Sequence, residues 1–285
     1  MKFLKLFSIF KTKSDSFYRV GKYKMRTPHN YALANIQKKH RLYDKFLIFL
    51  TRNLNSDGDI IDIGANIGDT TLALIQNTEK HIYSIEASDF FYNYLKINTE
   101  NIDSSDRISL LQFFVGSGKY GGELKHSIDG TAQIELKKTS NVNFLTLDSL
   151  IIKNKISKIS MIKIDTDGFD FDIINSGMNF ISEHKPILFL ENFIDHEFQV
   201  TGYNKMYEKL KNIGYCNICV FDNYGNILTE TNDFNLLKNL NDYFLSHSLY
   251  NISKTISYVD VLLCCEKDKS IFDKSLIDFK KEIII

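Results

Sequence analysis

The sequence has no excess of either charge: in 285 residues, Lys plus Arg and Asp plus Glu each number 35. No global basic field is there to recruit nucleic acid, and no nucleic-acid partner is expected. No run approaches the roughly 18 uninterrupted apolar residues of a membrane span. Prolines are scarce, Pro28 and Pro186 only, so an Asn-Pro-Pro-aromatic segment is absent. The few cysteines stand in two tight pairs, Cys216/Cys219 and Cys264/Cys265, inside apolar, strand-like runs. Cys216 and Cys219 are an odd distance apart and point to opposite faces of a strand, which argues against a zinc or redox CxxC. They read as buried structural residues of a reducing compartment, and a cytoplasmic location is expected. The opening MKFLKLFSIF has Lys5 within its apolar run and no small-residue cleavage site after it, so a secretory signal is not expected. A frayed or locally docked terminus is favoured over contact of residues 1–10 with a membrane surface or a partner.

What is present looks globular. Apolar residues make up 44% and charged residues 25%, ordinary proportions for a packed protein, and the length suits one large α/β domain with an appendage. From His29 to Leu54 the apolar positions Leu33, Ile36, Tyr43, Leu47, Leu50 and Leu54 recur at spacings of three and four, or multiples of them. This predicts one long amphipathic helix, entered at Pro28 and ending before Ser56-Asp57-Gly58. Short apolar runs then alternate with helical stretches. Strands are expected at Asp59–Ile63, His81–Ile85, Ile108–Val115, Met161–Ile164, Ile187–Leu190, Cys216–Phe221 and Tyr258–Cys265. Helices are expected at Thr70–Gln76, Asp89–Asn98, Phe171–Asn175, Lys205–Asn212 and within Phe234–Ser246. That alternation implies βαβ units and a mostly parallel sheet covered on both faces. Residues 116–147 break the rhythm: ELKHSI and TAQIEL flank Asp129-Gly130 and read as an inserted hairpin near the carboxyl ends of the strands. The organisation expected is an N-terminal helical extension over 1–57 and one catalytic domain over 58–285 carrying that insertion.

The segment IIDIGANIGDTT, residues 60–71, is a glycine-rich passage from strand to helix. A dinucleotide fingerprint would place glycine where Asn66 and Asp69 stand. Asp62 ends the strand beneath the loop and Asp69 opens the helix, and two carboxylates there would repel a diphosphate. The loop suits a cationic, phosphate-free ligand such as S-adenosylmethionine better than NAD. A triphosphate loop fails as well, because FFVGSGKY has Phe113 in place of its first glycine and Tyr120 in place of the magnesium-binding hydroxyl. The second strand, HIYSIE, ends in Glu86, placed to accept hydrogen bonds from the two ribose hydroxyls. The fourth strand runs into MIKIDTDGFDFDIINSG and delivers Asp165 and Asp167, two apart, on one side of an extended chain. Either Asp167 or Asp170 could also cap the helix that follows.

IIDIGANIGDTTL, IEAS, FLTLDSL and MIKIDTDGFDFDIINSG, in this order and spacing, resemble the FkbM family of S-adenosylmethionine-dependent methyltransferases over roughly residues 59–195. The resemblance implies the class I methyltransferase fold, a Rossmann-like, seven-stranded, mostly parallel sheet with its last strand antiparallel, and O-methylation of a hydroxyl on a small molecule or a sugar or glycan. Position by position it puts Asp62, Gly64, Asn66 and Gly68 in the cofactor loop, makes Glu86 the ribose acid, and sets Asp165 beside the methyl donor. The family commonly has Glu where Asp167 and Asp170 stand, and a small residue where Phe169 stands.

A hydroxyl is a poor nucleophile until its proton is taken, so a base within hydrogen-bond reach is expected. Asp167 is the first choice, with Glu191 of PILFLENF and His196 of FIDHEF as alternatives. Asp165, Glu191 and Asn192 also resemble an oxygen-ligand set for magnesium, although a divalent metal is not favoured. The missing Asn-Pro-Pro-aromatic segment argues against N-methylation of bases or amides. Two further classes stand beside this reading: an NAD-dependent oxidoreductase on a similar sheet, and a non-catalytic methyltransferase-like scaffold.

Overall fold

The computed structural model describes residues 15–29, 31–55, 57–120, 122–126, 132–136, 143–250, 252 and 255–284. The expected Asp129-Gly130 turn and the segment 1–10 lie outside them. The chain opens with an antiparallel hairpin, β1 (Ser16–Val20) and β2 (Tyr23–Thr27). Helices α1 (Leu33–Lys39) and α2 (Phe46–Asn53) follow. The hairpin was not anticipated, although Gly21-Lys22 between two alternating runs is its sequence signal; Gly21 takes a φ of 55° at the turn.

The single helix expected over 29–54 is two. His40 leaves the helical region with φ −120° and ψ 90°, and Asp44 takes a left-handed φ of 57°. Periodicity ran through the break because both pieces bury a face, Leu33 in a small cluster with Met25, Ile67, Leu72 and Phe91, and Phe46, Leu47 and Leu50 in a larger one.

The doubly wound body then follows in chain order. Its first half is β3 (Asp59–Ile63), α3 (Asp69–Ile75), β4 (Ile82–Ile85), α4 (Asp89–Thr99), β5 (Ile108–Leu111) and β6 (Phe114–Val115). Next come β7 (Gly122–His126), β8 (Ala132–Leu136), β9 (Phe144–Leu145), α5 (Leu147–Lys153), β10 (Ile159–Ile164), α6 (Asp170–Ser176), α7 (Met178–His184) and β11 (Ile187–Asn192). The chain ends through α8 (Glu197–Asn212), β12 (Tyr215–Asp222), β13 (Ile227–Thr231), α9 (Phe234–Leu249), β14 (Val259–Cys265) and α10 (Lys269–Ile284).

The main sheet has 8 strands in the order β13-β12-β14-β11-β10-β3-β4-β5. β3, β4, β5, β10 and β11 run parallel, and β14, the last strand, is inserted antiparallel between β11 and β12. This is the class I methyltransferase arrangement with one strand beyond the seven expected: β13 pairs antiparallel with β12 at the edge. The expected run Ile108–Val115 divides into β5 and the short β6, which pairs with β9. β7 and β8 form an antiparallel hairpin within the expected insertion.

Both faces of the sheet are covered, so its strands read as near-continuous apolar runs. Ile61, Ile162, Leu188 and Val261 face one cluster, completed by α5, α6, α8 and α9. Their neighbours Ile60, Met161, Ile187 and Leu262 face the other, completed by α2 and α10. Cys219, Cys264 and Cys265 are buried and Cys216 is partly exposed, all as free thiols. Among the described residues no helix is long and apolar enough to cross a membrane.

Candidate active site

The glycine-rich passage leaves the sheet at its centre, between β4 and β10. Gly64 and Ala65 both donate backbone N–H bonds to the Ile85 carbonyl, each 3.0 Å. Gly64 has a φ of 78°, and a Cβ there would lie 1.9 Å from the Asp165 carbonyl oxygen, so only glycine lets the loop pass the end of β10. Asn66, with a φ of 48°, turns its N–H onto Glu86 Oε2 at 2.9 Å and accepts a hydrogen bond from the Tyr31 hydroxyl at 3.0 Å. Gly68 starts α3 at a φ of 94°, where a Cβ would meet Leu95 Cδ1 at 2.8 Å. The loop is tied to the N-terminal hairpin by Asn98, whose amide donates to the Ile67 and Arg26 carbonyls and whose oxygen accepts from the Arg26 N–H.

Glu86 directly follows β4 and is 8% exposed. Its second oxygen accepts the Ser88 N–H at 2.8 Å. Burial pushes its carboxyl above the usual range, against the lowering effect of the Ser88 and Asn66 N–H groups. The carboxylate is therefore fixed in direction by backbone donors on both oxygens, and it lines the main cavity.

Asp62, expected to present a carboxylate to the ligand, does not face that cavity. It is fully buried, accepts a hydrogen bond from Thr71 Oγ1 at 2.9 Å and stands 3.3 Å from Lys163 Nζ. The Lys163 ammonium, itself 3% exposed, also lies 3.3 Å from Asp165 Oδ2 and donates to the Gly64 carbonyl at 3.3 Å. Burial opposes its charge, yet the carboxylates of Asp165, Asp62, Asp44 and Asp69 outweigh burial and hold it protonated well above the ordinary lysine range. Lys163 thus joins β3, the loop and the end of β10 through one charge. Its signal in the sequence was a lone lysine inside an apolar strand.

The cavity, of about 620 Å³, opens over the carboxyl ends of the central strands. Phe91, Phe113, Phe114 and Phe144 make one part of its wall apolar and aromatic. Gly64, Asn66, Glu86, Asp165, Asp167 and Glu191 all line it, so the structure brings six of the nine expected residues together. Asp62 and Gly68 are not among the residues that line it. His196 is not on the wall at all: it is the N-cap of α8 and its ring stacks on Phe198 with centroids 5.6 Å apart. Asn192, paired in expectation with Asp165 and Glu191 as oxygen ligands, is fully buried and donates its amide to Asn241 at 2.7 Å. That trio does not converge.

Asp165 and Asp167 bracket Thr166, and Asp167 sits at a φ of 50° before Gly168 at 92°. Neither Asp167 nor Asp170 caps α6, whose N-cap is Phe169 with no side-chain bond. Asp170 instead staples the turn: it accepts from the Thr166 N–H at 3.0 Å and hydroxyl, and from the Glu191 N–H at 2.9 Å. Burial raises its carboxyl to about 7. Two acids that sequence reasoning missed also line the cavity, Asp44 from the helix break and Asp260 from β14. Burial, with the negative charges of Asp69 and Asp165, raises Asp44 to about 8.

A family model described as the methyltransferase FkbM domain matches residues 62–216. The chain belongs to the FkbM methyltransferase family. Among solved structures, it is similar to an O-methyltransferase from Bacillus cereus in complex with SAH, 15% identical over 82% of this chain and 86% of that one, with a TM-score of 0.46. It is also similar to a methyltransferase FkbM from Methylobacillus flagellatus KT, 17% identical over 56% of this chain and 48% of that one, with a TM-score of 0.35. A Methanococcus jannaschii fibrillarin pre-rRNA processing protein, 11% identical, covers 92% of this chain and 86% of its own, with a TM-score of 0.43. No curated protein matches the chain.

Proposed function

We propose that this FkbM methyltransferase transfers a methyl group from S-adenosylmethionine to a hydroxyl of a small molecule or of a sugar or glycan, with a carboxylate as general base. The observation that carries the reading is Glu86, held by two backbone N–H groups at the end of β4 with its carboxylate on the cavity wall. Beside it, Gly64 lines the same cavity, its loop held against the Asp165 carbonyl, where a Cβ would not fit.

The residues present fit the donor. Glu86 would accept the ribose hydroxyl hydrogens, Phe113 and Phe114 would flank the adenine, and Asp69 and Asp165 would face positive charge. The same carboxylates would repel the diphosphate of NAD, which disfavours the oxidoreductase reading. S-adenosylmethionine, when bound, supplies the methyl carbon: its C–S bond breaks as the C–O bond forms, and sulfur keeps the electron pair.

The chain's own work is positioning and proton removal. Asp167 takes the hydroxyl proton from its place on the Thr166–Gly168 turn. Glu191 is the second choice there, because burial, with the nearby charges of Asp165 and Asp167, pushes its carboxyl well above the usual range and so opposes its charged form.

Calorimetry with S-adenosylmethionine and NAD in parallel tests the reading. Binding of the first and not the second is expected; the reverse would establish a dinucleotide site, and binding of neither would leave a scaffold. Glu86→Ala is expected to weaken S-adenosylmethionine binding about 10- to 100-fold by removing two charge-assisted hydrogen bonds, with the thermal melt still cooperative. A screen over hydroxyl acceptors read by mass shift then tests transfer.

A further inference from the structure

Across the β11–β14 pair the cavity wall is acidic in a way the methyl-transfer reading does not use. Glu191 and Asp260 are register partners on these antiparallel strands. Tyr258 and, from the turn between β12 and β13, Asn223 and Tyr224 line the cavity with them. Glu191 is 7% exposed, and its Oε2 has no hydrogen-bond partner among the described residues.

The backbone of Glu191 is fully engaged. Its N–H donates to Asp170 Oδ2 at 2.9 Å and its carbonyl accepts the Tyr203 hydroxyl at 2.8 Å. The residue lines the cavity and is held firmly while one of its carboxylate oxygens stays buried and unsatisfied, an arrangement that native structures complete with a ligand, an ion or an ordered water. Apart from burial, the largest influences on Glu191 are the negative charges of Asp165, Asp167, Asp170 and Asp260. Of the basic side chains that line the cavity, Lys39 is exposed on α1 and the other two are engaged elsewhere. Lys163 is held between Asp62 and Asp165, and His40 stacks on Tyr224 with ring centroids 3.8 Å apart.

We propose that Glu191 and Asp260 bind a protonated amine of the acceptor, so that the substrate is a hydroxylated amine such as an amino sugar or an amino alcohol. An ammonium donates up to three hydrogen bonds and brings the positive charge that this part of the wall lacks. Neutral hydroxyls would satisfy the Glu191 oxygen but bring no positive charge to set against the two acids. The inference rests on the methyl-transfer reading and sharpens its acceptor.

The test uses the full chain saturated with S-adenosylhomocysteine and titrated calorimetrically with glucosamine, ethanolamine and streptamine, each beside its N-acetyl derivative. At least one amine is expected to bind about tenfold or more tightly than its acetylated form. Glu191→Gln, close in shape, is expected to erase that preference, with Asp260→Asn weakening it, while S-adenosylhomocysteine affinity and the melt are retained. No preference for any amine overturns the proposal and leaves methyl transfer standing. A tenfold loss of S-adenosylhomocysteine affinity in Glu191→Gln also overturns it, because the carboxylate then serves the donor. Failure of the wild-type chain to bind S-adenosylhomocysteine overturns both readings together.

Discussion

Lys163→Met is expected to destabilise the protein by about 3–5 kcal/mol, the cost of leaving a buried charge without its partner. Denaturant unfolding should show the loss as a lower midpoint at an unchanged slope. Asp62 is fully buried beneath the loop. Besides the Thr71 hydroxyl, the Lys163 ammonium at 3.3 Å is what balances it. Methionine keeps the length and apolar stem of lysine, so the packing of β10 changes little and the charge accounts for the effect. The variant also loses the bond to the Gly64 carbonyl, and S-adenosylmethionine binding should weaken with it.

Adding Asp62→Asn to Lys163→Met should restore a large part of the stability, because the stranded carboxylate is then gone, and a double-mutant cycle reports the coupling. Additive losses would show that the pair is not what holds the loop. The pH dependence has a definite sign. Burial opposes the lysine charge but the carboxylates around it win, so its folded pKa lies above the ordinary value of 10.5. Its stabilisation is full below about pH 10.4, the unfolded value, and is lost only as the pH rises through the folded one. Alkaline unfolding should therefore begin at lower pH in Asp62→Asn than in the wild type.

How far this pair could be foreseen marks the limit of the sequence. Strand β3 falls on the expected Asp59–Ile63, and β14 differs from its expected run only in omitting Tyr258. Their apolar runs are short, bounded by turn residues and buried on both faces, a pattern that local composition carries well. Gly64 and Asn66 were legible for the same reason, since backbone turns announce themselves in residue type.

What sequence could not supply is which buried polar groups meet across the sheet. Asp62 and Lys163 are register partners on adjacent parallel strands, a relation fixed by strand order and not by any local spacing. Glu191 and Asp260 repeat the lesson on β11 and β14. The break at Asp44 was hidden because neither glycine nor proline marks it, and the apolar period resumes in phase with the core. His196 looked like a candidate base because it stands near Glu191 in the chain, but the turn into α8 uses it as a helix cap.

Asp167→Asn is expected to lower kcat by about 10²- to 10⁴-fold, the range for loss of a positioned general base, which is about 2.7–5.5 kcal/mol of barrier. The measurement needs an acceptor from the screen and initial rates. Three features make this variant more informative than a truncation. Asparagine tolerates a positive φ at least as well as aspartate, so the turn at 50° survives. Thr166, the preceding residue, is fixed by Asp170, and the same Asp170 carboxylate holds the Glu191 N–H, which ties the turn to β11. The proposed donor site at Gly64, Asn66 and Glu86 lies on the loops that follow β3 and β4, and S-adenosylmethionine affinity should change by less than about threefold, under 0.7 kcal/mol. An unchanged kcat would remove Asp167 from the chemistry and pass the base role to Asp165 at the other end of the same turn.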